Sequence, residues 1–387
     1  KEKVSIIEMR KSKQSEERNS SVELLKIIAI FLILISHVIW TVGRTSEYIA
    51  YDDYVVDLSV ATTNIQHLIM IMLYYSGALG NTVFFVCSSW FLVDSNRVNK
   101  KKMLYMALDV WVISVIIFIA TYSLGIDKMD PWVMFVQLFP NIFANNWYIT
   151  CYLIFYSIHP VLNGIINNLN QRTMLRCTLV LSILYICFNF ISTFFFPSPI
   201  ILWVAIYFII SYMKRYLKDI SENLKINKIL FLVGFIGNYG LILLTNFLGL
   251  KIGFFQNKVL YWSNNCNPFL ILMVIGLFNI VRNIHFESKV INNLSKLSLL
   301  IYVVHDNSIL RTYYRPQMWH YVYNNYGYNN ILMWTIVLGI IIFLFGVCAS
   351  IFYYRTIRNA VIHIGNKIYS KVTKFYLYIE NLMLKAH

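Results

Sequence analysis

Two residues on one apolar stretch carry the clearest chemistry in this sequence. Glu23-Leu-Leu-Lys26 is followed by ten residues, Ile27 to Ser36, and then by His37. Neutral imidazole takes a proton from a hydroxyl, or carries an acyl group itself. An ammonium group holds an anion. Eleven residues of helix turn through three turns plus ~20°, so Lys26 and His37 share a face and stand ~16 Å apart along the axis. Glu23 lies one turn before Lys26 and can pair with it. The plainer alternatives are a lysine snorkelling at a helix start and a histidine hydrogen-bonded inside a bundle.

Further candidates follow along the chain. Ser88 lies in the apolar run Val83-Phe-Phe-Val-Cys-Ser-Ser-Trp-Phe-Leu. Arg97, Lys100, Lys101 and Lys102 form a basic connection. Asn146-Trp147-Tyr148 opens an aromatic segment that continues through Tyr152 and Tyr156 to Pro160. Tyr302 and His305 lie three residues apart, on one helix face, with Asp306 beside them read as loop. Trp147 and Tyr148 also suit an interfacial aromatic belt, and the lysines suit ordinary inward-facing loops. Asp109 is a carboxylate inside an apolar segment, with no role assigned. His67, His159, His285, His320 and His363 fall in loops or near segment ends and read as bystanders. Five of the six cysteines sit in apolar runs, and no CxxC or Cys/His cluster occurs. Neither a metal site nor a disulfide is expected.

The elements that must position these groups are membrane helices. Of 387 residues, 58% are hydrophobic and 13% charged, against about 45–50% and 25% in globular domains. The apolar residues fall in blocks, most of them near the ~20 residues needed to cross a bilayer. The expected fold is all-α, a polytopic transmembrane helical bundle of about ten spans. Their cores are residues 22–43, 80–93, 103–124, 147–166, 174–196, 200–216, 226–248, 268–281, 294–310 and 331–354. The apolar run 65–75 reads as an interfacial or re-entrant helix. Thirty-three Lys and Arg against 18 Asp and Glu give a net charge of +15. Nucleic-acid binding is not expected, because no such motif accompanies the charge. The basic residues instead concentrate in alternate connections and at both ends, whereas the first connection holds Glu47, Asp52, Asp53 and Asp57 against Arg44. Arg311 and Arg315 are mild exceptions. By the positive-inside rule both termini are cytoplasmic, which requires an even number of spans. The chain divides into a cytoplasmic arm (1–20), a transmembrane domain (21–355) and a basic amphipathic tail on the inner membrane surface (356–387). The stretch 1–19 is polar and unlike a cleavable signal peptide. A first residue of Lys rather than Met reads as a processed or trimmed start. A composition rich in Ile, Asn, Lys and Tyr suits an AT-rich bacterial genome, and the expected location is the plasma membrane.

Taken together, Lys26 and His37, the Phe-Phe-Val-Cys-Ser88 segment, the basic Arg97-to-Lys102 connection, Asn146-Trp147-Tyr148 and Leu299-Leu-Ile-Tyr302-Val-Val-His305 resemble membrane acyltransferases of the acyltransferase-3 family. The resemblance spans most of residues 18–310. Lys26 stands where that family has Arg, Glu23 where Asp is frequent, and Ser89 where it has Gly. The resemblance implies transfer of an acyl group, usually acetyl, from acyl-CoA to a hydroxyl on a glycan or lipid-linked sugar. Acyl-CoA is then a co-substrate, with no tightly bound cofactor. It implies His37 and His305 as catalytic residues and Lys26, Arg97, Lys100 and Lys101 as donor-binding residues. Glu23, Ser88, Asn146, Trp147, Tyr148 and Tyr302 would bind or orient substrate. Besides membrane lipids, the expected partners are these two substrates. Two rivals stand beside it: a glycan or lipid transporter or flippase, and a glycan polymerase or ligase. Transporters often show two related halves, and polymerases carry a large Arg- and His-rich outer loop. The sequence has neither. It leaves open the acceptor, the acyl group, a direct or acyl-histidine route, and the oligomeric state.

Overall fold

The computed structural model describes residues 19–42, 57–125, 130–192, 198–327 and 329–385. The arm before Asn19 and the acidic first connection around Asp52 lie outside the described residues. No strand occurs among those described, and seven helices are long and apolar enough to cross a membrane. These are residues 20–40, 65–92, 100–123, 147–167, 171–192, 224–251 and 331–356. The expected second span is thus longer than its predicted core. Ile65–Tyr74 and Ser76–Leu92 abut at Tyr75, so the run read as a separate interfacial helix continues into the span. The expected eighth segment is a 15-residue helix, Pro268–Arg282. The expected ninth is broken: Lys289–Ser295 and Ser298–His305 are short, and a wide turn at Leu310–Tyr314 follows.

Asparagine opens many of these helices. The side chains of Asn99, Asn170, Asn223 and Asn267 each accept from a main-chain N–H of the following first turn. Such a cap satisfies one of the N–H groups a helix start leaves unpaired. Pro131, Pro199 and Pro268 stand at helix starts, where proline loses no hydrogen bond.

The chain forms two compact units, and the first helix, α1 (Ser20–Val42), contributes to both. Of the described residues, the first unit holds 19–36, 58–94, 168–192 and 198–298. Here α1 meets α3 (Ser76–Leu92; α2 is Ile65–Tyr74) through small residues. Gly77 faces Ser36, and Gly80 faces the Ala29 carbonyl and Ile33. Lipid gives little hydrophobic push between helices, so close approach at small residues supplies the contact. On α3, Phe85 stacks on Trp203 at 4.4 Å between centroids, and Trp90 packs on Phe278 at 5.6 Å. The two helices 224–251 and 268–282 pack along each other. A Cβ on Gly276 would lie 2.6 Å from Phe231 N and 2.7 Å from the Asn227 carbonyl. Beside that contact, Asn279 Nδ2 donates to Asn227 Oδ1 at 2.9 Å.

Of the described residues, the second unit holds 37–42, 57, 95–125, 130–167, 299–327 and 329–385. It contains α4 (Lys100–Ser123), α5 (Pro131–Leu138) and α6 (Trp147–Asn167). Ile309 and Tyr313 form a small core with Ile117, Phe118, Val133 and Met134. Asp109, unexplained by sequence, is buried on α4. Tyr353 donates its hydroxyl to it at 2.7 Å, and Arg358 Nε lies 3.4 Å away. This ties α4 to the end of the helix 331–356 and to the start of the tail helix 358–385. Tyr105 reinforces the tie by donating to Asn366 at 2.6 Å. His159, read as a bystander near a segment end, is instead buried inside α6 with Nδ1 on the Tyr156 carbonyl.

The close helix contact at Gly276 makes a specific demand. We expect Gly276→Ala to lower the thermal midpoint in detergent, by about 1–3 kcal/mol of overpacking. Gly240→Ala, with nothing within 4 Å of its Cβ, is expected to be neutral or stabilising by up to ~1 kcal/mol. Differential scanning fluorimetry of the two variants checks this.

Candidate active site

The second unit gathers two histidines that are 268 residues apart in sequence. His37 lies near the end of α1, and His305 closes the short helix Ser298–His305. Their rings are 5.4 Å apart between centroids and tilted by 35°. His305 Nε2 lies 3.3 Å from His37 Nδ1. His305 Nδ1 lies 2.9 Å from the Ile301 carbonyl. A carbonyl only accepts, so His305 Nδ1 carries the hydrogen. In neutral His305, Nε2 is then an acceptor, and His37 Nδ1–H donates to it. That network assigns the lone pair of neutral His37 to Nε2. His305 is 2% exposed, whereas the His37 side chain retains 24% exposure. His37 is the more exposed imidazole of the pair.

Asp306 completes the arrangement. It is 1% exposed, and its Oδ1 lies 3.3 Å from His37 Nδ1 and 3.2 Å from Arg311 Nη1. A carboxylate there holds the hydrogen on His37 Nδ1 and favours a positively charged ring. Sequence reasoning read Asp306 as loop. Asp306 does lie in the turn just past His305, yet that turn is buried, as are Asn307 and Ser308. Asn307 drives the turn by accepting from Ile309 N at 3.0 Å. Its amide donates to Gln137 Oε1 at 2.9 Å, and Gln137 donates to Ser308 Oγ. The wide turn at Leu310–Tyr314 then returns Arg311 to Asp306, and Arg315 to the main chain of both histidines. Arg315 Nη1 donates to the His37 carbonyl at 3.2 Å and Nη2 to the His305 carbonyl. Arg311 and Arg315, read as loop charges, belong to the histidine pair. The only sequence signal was a His-Asp step with arginines five and nine residues beyond the Asp.

An aromatic line extends from the pair. Tyr302 meets His305 edge-on at 5.6 Å, and Tyr148 meets Tyr302 at 6.2 Å. Trp147 is half-buried beside Tyr148 at 5.6 Å. Asn146 is 1% exposed, and neither its oxygen nor its nitrogen finds a hydrogen-bond partner among the described residues.

The other expected residues lie elsewhere. Arg97 and Lys100 are exposed at and before the start of α4, and Lys101 sits over the Tyr369 ring at 5.4 Å. Glu23, Lys26 and Ser88 belong to the first unit. Lys26 donates to Glu23 at 3.2 Å, as its spacing predicts, and Ser295 Oγ donates to the other Glu23 oxygen. Ser88 is half-buried on α3.

The acyltransferase domain of the acyltransferase-3 family matches residues 19–354. The chain belongs to that family, and its apolar helices make it a multi-pass membrane acyltransferase. No curated protein and no solved structure matches it.

Asp306→Asn removes the charge facing His37 while keeping the shape. We expect acyl-transfer kcat to fall on the order of 100-fold, with the donor KM within about threefold. Steady-state kinetics in proteoliposomes checks the split.

Proposed function

We propose that this acyltransferase moves an acyl group, acetyl in the first instance, from cytosolic acyl-CoA to a hydroxyl of a cell-surface or lipid-linked glycan. The observation that carries the reading is the quarter-exposed His37, with Nδ1 set against Asp306 and His305. In the direct route, His37 Nε2 takes the proton of the acceptor hydroxyl as its oxygen attacks the thioester carbonyl. The tetrahedral intermediate expels CoA thiolate, which recovers the proton from the imidazolium. In the alternative route, Nε2 itself attacks the thioester carbonyl and expels CoA thiolate; the acceptor hydroxyl then attacks the acyl-imidazole, the N–acyl bond breaks, and the hydroxyl proton passes to the released Nε2 or to the thiolate. Asp306 stabilises the positive imidazole in either case. His305, buried and bonded to Ile301, suits orientation of His37 better than contact with sugar.

Donor binding is argued from charge. CoA is anionic, and Arg97, Lys100 and Lys101 are exposed cations in the unit that holds His37. The positive-inside rule puts them on the cytoplasmic side. Lys26, engaged with Glu23, is a further cation on the first turns of α1. The acceptor reading rests on Asn146 and Trp147. A buried carboxamide without partners is costly, and its adjacent donor and acceptor match two neighbouring sugar hydroxyls. Trp147 offers a flat apolar face to the ring. A bacterial plasma membrane suits the composition and the glycan acceptor.

The first test is label transfer from radiolabelled acetyl-CoA in membranes holding the protein, with surface glycan as acceptor. Alkali-labile label on glycan, lost in His37→Ala, is the expected result. Label retained on the wild-type protein would select the acyl-imidazole route. A folded wild type that neither transfers acetyl nor consumes acetyl-CoA would overturn the reading and bring the transporter forward. Separately, Asn146→Ala is expected to raise the acceptor KM by about tenfold, a loss of ~1.4 kcal/mol in binding, with kcat changed by less than about threefold. Initial-rate kinetics over a range of glycan concentrations checks it.

A further inference from the structure

Arg315 is the least expected feature of the second unit. The residue is 3% exposed. Burying a guanidinium is expensive unless its donors are used. Among the described residues Arg315 makes no ion pair with a carboxylate; the nearby Asp306 is held through Oδ1 by Arg311 at 3.2 Å. Arg315 spends its donors on two main-chain carbonyls, those of His37 and His305. One turn later on the same helix (Arg315–Tyr326), Trp319 Nε1 donates to the Val38 carbonyl at 3.1 Å. Three successive anchor points therefore hold the peptide planes at residues 37, 38 and 305. The two histidines come from elements far apart in sequence, and no main-chain ladder joins them.

We propose that Arg315 is a positioning residue: its planar fork sets the spacing between His37 and His305 through their backbones. A guanidinium presents its N–H groups in a fixed geometry, so one rigid group defines the distance between the two carbonyls it bridges. Lysine keeps the charge but is a point donor on a flexible stem. The 3.3 Å approach of His37 Nδ1 to His305 Nε2, and of the same nitrogen to Asp306, depends on that distance. Reacting groups displaced by about 1 Å lose on the order of 100-fold in rate. The inference rests on His37 being the reacting imidazole, so one arm of its test avoids acyl transfer altogether.

The experiment compares wild type, Arg315→Lys and Arg315→Gly as full-length protein in detergent. In Arg315→Lys we expect kcat to fall about 10–100-fold, with donor and acceptor KM within about threefold. In Arg315→Gly, added guanidinium at a non-denaturing concentration is expected to restore several-fold of the lost kcat, whereas ammonium is not. The arm without acyl transfer uses diethyl pyrocarbonate, which modifies unprotonated imidazole, read at residue 37 by peptide mass spectrometry. The exposed His363 serves as internal reference. When His37 Nδ1–H loses its acceptors, the ring is a weaker nucleophile, so Arg315→Lys should slow labelling of His37 by about threefold or more. Wild-type kcat and wild-type labelling in Arg315→Lys would overturn the proposal. So would a loss confined to KM, or a folded Arg315→Gly that guanidinium does not rescue. If Arg315→Gly fails to fold, the lysine variant decides. If the wild type proves not to transfer acyl groups, the labelling ratio alone decides.

Discussion

An apolar helix bundle offers no water to solvate a charge, so every ionisable group inside it must bring its partner along. Much of the side-chain architecture here follows from that constraint. Glu23 comes with Lys26 and Ser295, Asp109 with Tyr353 and Arg358, and Asp306 with Arg311 and His37. Each carboxylate is joined to a cation and to a hydroxyl or an imidazole. Breaking any one of these sets would strand a charge at a cost far above that of a surface pair.

The three sets differ in what they leave accessible. Asp109 is closed by a tyrosine and an arginine, and it fastens the tail helix to α4. Glu23 is closed by a hydroxyl and an ammonium. Asp306 alone of these three faces an imidazole, and that imidazole keeps a quarter of its surface exposed. The same electrostatic solution thus closes the carboxylate in two places and leaves an imidazole partly exposed in the third. The difference lies in whether the partner can still exchange a proton with an incoming group.

Irregular backbone also marks the place where that imidazole is held. Residues 295–315 break a segment that hydropathy alone reads as a span. A break inside a bundle is tolerated only where the freed polar groups are satisfied by protein. Gln137, Asn307 and Ser308 satisfy one another across that break, and Arg311 and Arg315 return over it. The short helix ending at His305 is therefore a built feature of the second unit, with its carbonyl end turned into a docking point for Arg315.

The sequence by itself determined the helices, the family resemblance and the first face of the site. Helical periodicity is local, so the eleven-residue spacing of Lys26 and His37, the Glu23–Lys26 pair and the asparagine starts follow from neighbours in the chain. The Tyr302–His305 spacing likewise set those two rings in contact. Only the tertiary structure decided which distant groups meet. Nothing in local periodicity joins His37 to His305 across 268 residues, or turns two apparent loop arginines into the clamp around them. Asp306 looked like loop because a helix end is indistinguishable, in sequence, from an exit to solvent. Asp109 had no role legible in sequence, because Tyr353 and Arg358, which close it, lie more than 240 residues on. Long-range pairing depends on how helices pack, and packing is set by side-chain shape and polar satisfaction across the whole unit.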